Sequence, residues 1–278
     1  MRTPNNWKNH LVIFASTAVF LSAVNSLAWF SMGGGAVIVG LTVTAITITG
    51  LLLEIHRRLG IRLTQLSLAQ TNLYQQTESL FSLFFTLKPN LPLPVGRGWA
   101  ASPDFLNEIL KSVLTSSPNL ILEGGCGLST LIIAYSLKKI GHGKVMSLEH
   151  DPKFAAQCRN LISLHGLDDF ATIIDAPISE VTINGSQWKW YDISALKFST
   201  QIDMCVIDGP PGSIQPLARY PALPLLHKYL SPSAILLLDD GDRPDERMTV
   251  ERWQAEFANV IAEFLHLEKG AFLIRFAS

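Results

Sequence analysis

From Leu11 to Leu53 the chain runs 43 residues without an Asp, Glu, Lys, Arg or His. One helix of that length would reach about 65 Å, roughly twice the hydrocarbon thickness of a bilayer. Ser31-Met32-Gly33-Gly34-Gly35 interrupts the run near its middle, and glycines favour a turn there. The run therefore reads as two membrane spans, Leu11–Phe30 and Ala36–Leu53, within an anchor covering residues 1–58. Trp29 and Phe30 fall at an interfacial position. Arg2 and Lys8 precede the first span, and Arg57, Arg58 and Arg62 follow the second, while the connecting loop carries no basic residue. Positive residues stay on the cytoplasmic side, so a multi-pass protein of the plasma (inner) membrane is expected, with both termini in the cytoplasm. The alternative is a signal peptide cleaved near Ser26-Leu27-Ala28 and followed by a single anchor. Three scattered cysteines, Cys126, Cys158 and Cys205, suit a reducing compartment better than a disulfide framework.

Residues 59–96 read as a linker. Leu59, Leu66, Leu73, Leu80 and Leu87 recur every seven residues, a coiled-coil spacing that suggests a homodimer through residues 59–87. The second seam, Leu63, Gln70, Thr77 and Phe84, is poor. An amphipathic helix lying on the chain's own domain or on the lipid bilayer is the competing expectation. The prolines of Lys88-Pro89-Asn90-Leu91-Pro92-Leu93-Pro94 then end the helix and mark a boundary. With 22 Lys+Arg against 23 Asp+Glu and a net charge of −1, the composition speaks against a nucleic-acid partner.

The rest of the chain, residues 97–278, alternates strand and helix. Strands are expected at Asn119–Glu123, Lys144–Glu149, Ala171–Asp175, Ile202–Ile207 and Ala234–Leu238, with a closing hairpin of Ile261–Leu267 and Ala271–Phe276. Helices are expected from Ser102-Pro103-Asp104 to Leu114, and over Leu128–Lys139, Pro152–Leu164, Ile214–Tyr229 and Asp245–Ala258. Residues 178–200 are ambiguous. This alternation predicts an α/β fold with a mainly parallel sheet covered on both faces. Ligands of such sheets bind beyond the carboxyl ends of the strands.

The end of the first strand reads Leu122-Glu123-Gly124-Gly125-Cys126-Gly127-Leu128-Ser129-Thr130, and Glu149 closes the second strand. Glycines let the backbone turn tightly beside a ligand, and a strand-end carboxylate can take both hydroxyls of a ribose. The third glycine of a dinucleotide-binding fingerprint is replaced by Thr130, which disfavours a nicotinamide-dependent oxidoreductase. Glu123-x-Gly125-x-Gly127-x-Ser129 followed by Glu149 resembles the cofactor site of class I S-adenosylmethionine-dependent methyltransferases. Gly98–Asp104, Ser147–Asp151, Ile207–Gly212 and Leu238–Pro244 resemble a bacterial subgroup of that family.

The resemblance implies a Rossmann-like, seven-stranded methyltransferase sheet with helices on both faces, preceded by the two-helix transmembrane hairpin. It implies S-adenosylmethionine as cofactor, with Glu123 facing its amino group and Gly125, Gly127 and Ser129 forming the turn around its methionine part. Glu149 would hold the ribose, Asp175 would meet the adenine amino group, and His150 would lie near the adenine. Asp208, Asp239 and Asp240 match the acids that hold Mg2+ in catechol O-methyltransferase, where Asp240 replaces an asparagine. A Mg2+ or other divalent cation is thereby implied, and the lysine base of that family falls at Pro211. Without a metal, Asp208 or Asp240 is the candidate catalytic base; alternatively, these acids only cap strands and pair with Arg219 or Arg243. Trp99, Trp190 and Tyr191 are candidates for the acceptor pocket wall. The expected activity is O-methylation of an unknown acceptor, lipid-linked or a glycan precursor. A non-catalytic membrane scaffold with the same fold is the alternative.

Overall fold

The computed structural model describes residues 16–17, 19–24, 26–27, 30, 34–96, 100–198 and 200–277. The chain divides into two compact units, Met1–Thr71 and Asn72–Ser278.

In the first unit, the described residues between 16 and 30 are helical. The remainder of the expected span Leu11–Phe30 and the turn residues Ser31-Met32-Gly33 lie outside the described residues. Gly34 and Gly35, expected in that turn, instead open helix α1 (Gly34–Leu87), 54 residues long. No break separates the expected span ending at Leu53 from the linker, because Glu54–Leu59 contains neither glycine nor proline. Among the described residues one helix is long and apolar enough to cross a membrane. The hydroxyls of Thr42, Thr44 and Thr47 donate to the carbonyls of Ile38, Gly40 and Val43 at 2.8–2.9 Å. These polar groups are thus satisfied within the helix, as a lipid environment demands.

The second unit takes in the last turns of α1. Leu83 is 1% exposed within the core. The Gln76 amide donates to Asp104 Oδ2 at 2.8 Å, and its oxygen accepts from the Asp104 amide at 3.1 Å. The strands are β1 (Leu120–Gly124), β2 (Lys144–Glu149), β3 (Ala171–Asp175), β4 (Ile178–Ile183), β5 (Ser186–Tyr191), β6 (Ile202–Ile207), β7 (Leu230–Leu238), β8 (Val260–Leu265) and β9 (Ala271–Phe276). The helices are α2 (Pro103–Ser116), α3 (Leu128–Ile140), α4 (Pro152–Leu164), α5 (Ala222–Leu226) and α6 (Pro244–Glu256). Seven strands form one sheet in the order β3-β2-β1-β6-β7-β9-β8. Neighbours from β3 to β7 run parallel, and β9 and β8 are antiparallel.

Alternating side chains divide the core into two layers, as strand pleating requires. Ile121, Met204, Val206 and Leu237 pack with α2, α3 and α4 on one face. Leu122, Cys205, Leu236 and Leu238 pack with β5, α5 and α6 on the other. Two expectations change here. Residues 178–200 contain the hairpin β4–β5, turned by Asn184 and Gly185 at positive φ (51° and 78°). The helix expected over Ile214–Tyr229 shrinks to α5 and one 3₁₀ turn. Pro216, Pro221 and Pro224 remove helix donors, and Leu217 adopts φ 52°.

Candidate active site

The parallel register ends β1, β2, β6 and β7 side by side, bringing their acidic termini to one edge. Gly124 lies opposite Leu148 on one side and Ile207 on the other, and Ile207 lies opposite Leu238. The turn after β1 needs glycine at Gly125, whose φ is +94°. At Gly127 the protein itself gives no steric reason for glycine: a Cβ there would meet nothing within 4 Å, so the space beside the turn is open. Thr130, in place of the third glycine, accepts from the Gly127 amide at 3.0 Å and donates to Glu123 Oε2 at 2.6 Å. Ser147 donates to the same oxygen at 2.5 Å. Thr130 and Ser147 were missed as site residues in the sequence reading, although the Thr130 replacement was the available signal.

Glu123 is fully buried; its Oε1 has no hydrogen bond of acceptable geometry, although the Ser129 hydroxyl lies near enough to lower its carboxyl pKa. Burial pushes its carboxyl up to about 7, against the pull of the surrounding hydroxyls and with a further push from Glu149. Glu149 clasps the glycine turn: its Oε2 accepts from the Cys126 amide at 3.3 Å and its Oε1 from the Asp151 amide at 2.9 Å. His150 Nδ1 lies 2.9 Å from Glu149 Oε1 without hydrogen-bond alignment. Ser129 is buried in the first turn of α3. Asp175 lies opposite Glu149 in the register but is exposed and paired with Arg159 at 2.6 Å. Trp190 and Tyr191, expected as pocket walls, are core residues at 0% and 1% exposure. They are carried there by β5, and Tyr191 backs onto Gly124. Trp99 lies outside the described residues.

At the acceptor edge, Asp208, Asp239 and Asp240 bring carboxylate oxygens within 4.8 Å of one another. Arg219 enters the same cluster, 4% exposed. Its Nη2 donates to the Asp208 carbonyl at 2.7 Å, to Asp208 Oδ1 at 3.2 Å and to Asp240 Oδ2 at 2.7 Å. Its Nη1 donates to the Asp239 carbonyl at 2.8 Å. Arg243 reaches Asp240 Oδ2 at 2.9 Å. Asp239 Oδ1 accepts from the Asp240 amide at 2.8 Å, and Asp240 holds φ 57°. Burial pushes Asp208 up to about 8 and Asp239 to about 6; the neighbouring acids add to this, and Arg219 opposes it.

A divalent cation on these carboxylates would sit within about 5 Å of a buried guanidinium. The repulsion is about 7 kcal/mol at an effective dielectric constant of roughly 20, a penalty absent from acid clusters without an arginine. Asp208 and Asp240 already spend their facing oxygens on the guanidinium, which competes with a cation for them; the buried Asp239 Oδ2 is left without a hydrogen-bond partner. Beside Arg219 opens a cavity of about 240 Å³ lined by Gly212, Leu217, Arg243, Asp245, Glu246 and Thr249 among others. Arg219 Nε, Glu246 Oε2 and Thr249 Oγ1, all buried, have no hydrogen-bond partner. Glu246 and Thr249 gave no signal in the sequence, because only the packing of α6 brings them here.

The strand order β3-β2-β1-β6-β7-β9-β8 is the seven-stranded, Rossmann-like methyltransferase fold. Residues 122–241 match the family model described as a methyltransferase domain. The match covers the glycine turn, both flanking glutamates and the acids at the ends of β6 and β7. The same fold occurs in the methyltransferase PaMTH1 of Podospora anserina, solved with bound SAH: 17% identity, TM-score 0.50, covering 72% of this chain and 88% of that one. It also occurs in TomG of Streptomyces achromogenes, an O-methyltransferase involved in tomaymycin synthesis, solved with SAM: 17% identity, TM-score 0.50, covering 75% and 96%. No curated protein sequence matches the chain.

Proposed function

We propose that the chain is a membrane-anchored O-methyltransferase that uses S-adenosylmethionine, with Asn72–Ser278 as its catalytic unit. The observation that carries this reading is the buried Oε1 of Glu123, without a hydrogen bond of acceptable geometry, beside a turn left open at Gly127. An ammonium group would satisfy that oxygen, and the open space would admit the methionine chain. Glu149 would take the ribose hydroxyls while still clasping the Cys126 amide. Asp175 would reach the adenine amino group only with the oxygen that Arg159 leaves open.

The cofactor, when bound, supplies an electrophilic methyl group. The chain's own residues align the acceptor with it, and direct displacement asks mainly for that alignment. The cavity beside Arg219 offers buried donors and acceptors, which favours a hydroxylated acceptor over an apolar one. Asp208 would accept the hydroxyl proton in its ionised form, which burial makes the minor one at pH 7 and the adjoining Arg219 favours. The anchor would be a two-helix hairpin in the plasma membrane with the catalytic unit in the cytoplasm, where the three free thiols suit a reducing environment. The exposed Leu59, Leu66 and Leu73 support self-association along α1, and the location favours a lipid-linked acceptor or a glycan precursor.

The test is calorimetric titration of S-adenosylmethionine into the full chain in detergent, beside Glu149→Ala. Micromolar binding, weakened at least tenfold in the variant, is expected. A folded parent that takes up no cofactor would leave the scaffold reading in its place.

A further inference from the structure

One guanidinium ties together the loops that the acceptor edge is made of. Arg219 lies on the segment between β6 and α5, and its side chain reaches the ends of both β6 and β7. It touches the main chain of Asp208 and of Asp239, and the carboxylates of Asp208 and Asp240. Glu246, in the first turn of α6, lies 3.5 Å from its Nη1. These contacts involve all three residues that would otherwise be read as cation ligands. Arginine suits the position because it stays charged in a buried site and presents several donors in one plane. Asp208 Oδ1 and Asp240 Oδ2 converge on Nη2, where a cation would otherwise draw them, while Nη1 takes the Asp239 carbonyl.

We infer that Arg219 takes the structural and electrostatic part of a divalent cation at this edge, so that the site holds its acids, and accepts its substrate, without a metal. This rests on the methyltransferase reading above. Arg219 is a positioning residue: it holds Asp208 at the acceptor edge and keeps positive charge beside the oxygen that loses its proton. The proton goes to Asp208, the methyl–sulfur bond breaks as the methyl–oxygen bond forms, and no charge has to be supplied from solution. Arg243, half-exposed and 2.9 Å from Asp240 Oδ2, is a second clamp on the same acid.

The experiment uses the full chain in detergent, stripped with a chelator, and titrates MnCl2 by calorimetry and by the electron paramagnetic resonance of free Mn2+. The parent should show no saturable site tighter than about 1 mM, the weak end of carboxylate cation sites. Its affinity for S-adenosylmethionine should change less than about twofold with chelator or Mn2+ present. One equivalent of Mn2+ bound more tightly by the parent, and lost in Asp239→Asn, would overturn the inference. In Arg219→Gln, the carboxylates lose the guanidinium and a Mn2+ site should appear. A Gln variant that still binds S-adenosylmethionine but gains no Mn2+ site would equally overturn it. Should that variant fail to fold, the parent titration decides alone. Absence of S-adenosylmethionine binding in the folded parent would defeat the methyltransferase reading, an outcome distinct from Mn2+ uptake.

Discussion

On the proposed reading Glu123 has to be charged to attract the cofactor's ammonium group, yet it sits where charge is costly. Its carboxyl is raised from 4.5 to about 7, chiefly by complete burial. That interval corresponds to about 3 kcal/mol of differential free energy between its two protonation states. The sign follows from linkage. A raised folded pKa means the folded chain holds the proton more tightly than the unfolded chain, so this contribution to stability is full below pH 4.5 and is lost as pH rises through about 7. Binding has the opposite slope. The ionised fraction of Glu123 grows from about a tenth at pH 6 to about a half at pH 7, so cofactor affinity should rise about fivefold across that unit. Above pH 7.7 or so the cofactor's own α-amino group begins to lose its proton, and the rise should flatten. Calorimetry at pH 6.0, 6.5 and 7.0, in buffers of different ionisation enthalpy, would measure the affinities and the proton released on binding. Glu123→Gln should bind more weakly at pH 7 and show no such rise. A parent affinity that stays level between pH 6 and 7, or a Gln variant with the parent's slope, would refute the assignment of Glu123 to the ammonium group.

Other outcomes follow from the same geometry. Gly127→Ala places its Cβ in open space; thermal unfolding should move by no more than about 1 kcal/mol, while cofactor affinity falls at least tenfold. Gly125→Ala, at φ +94°, should instead cost the fold about 1–3 kcal/mol, read as a lowered melting temperature. A fragment beginning at Asn72 should melt higher than one beginning at Pro89. The shorter fragment loses the burial of Leu83, about 2 kcal/mol, together with the Gln76–Asp104 hydrogen bonds. The full chain should stay with membranes through alkaline carbonate extraction, and a chain lacking residues 1–53 should be released; release of both would refute the anchor.

Much of the second unit was legible because its signals are local. Lys144–Glu149, Pro152–Leu164, Ala171–Asp175 and Ile202–Ile207 lie where apolar runs and turn residues put them. A buried parallel strand must be apolar on both faces, and a helix of this length must start and stop at recognisable residues. The glycine turn after β1 was legible for a similar reason, since its glycines and the two flanking glutamates occupy fixed places along the chain. Residues 178–200 and 214–229 were harder. The first mixes aromatic and polar residues in a way that fits hairpin or loop. The second has helix-like apolar spacing that three prolines override.

What the sequence alone determined is what depends on covalent order: the uncharged run, the strand–helix alternation, the glycine turn and the acids at the strand ends. What only the tertiary structure decided is which side chains meet. Trp190 and Tyr191 became core because β5 packs on the sheet, and Glu246 and Thr249 reached the cavity beside Arg219 because α6 does. Arg219 lies 11 residues from Asp208 and 21 from Asp240 along the chain; the sequence offered it, with Arg243, as a possible partner of these acids, but spacing alone did not place it inside the cluster. Only the closing of the β6 and β7 loops on each other puts its guanidinium among those acids. A charge shapes its surroundings through distance in space, and spacing along the chain does not set that distance.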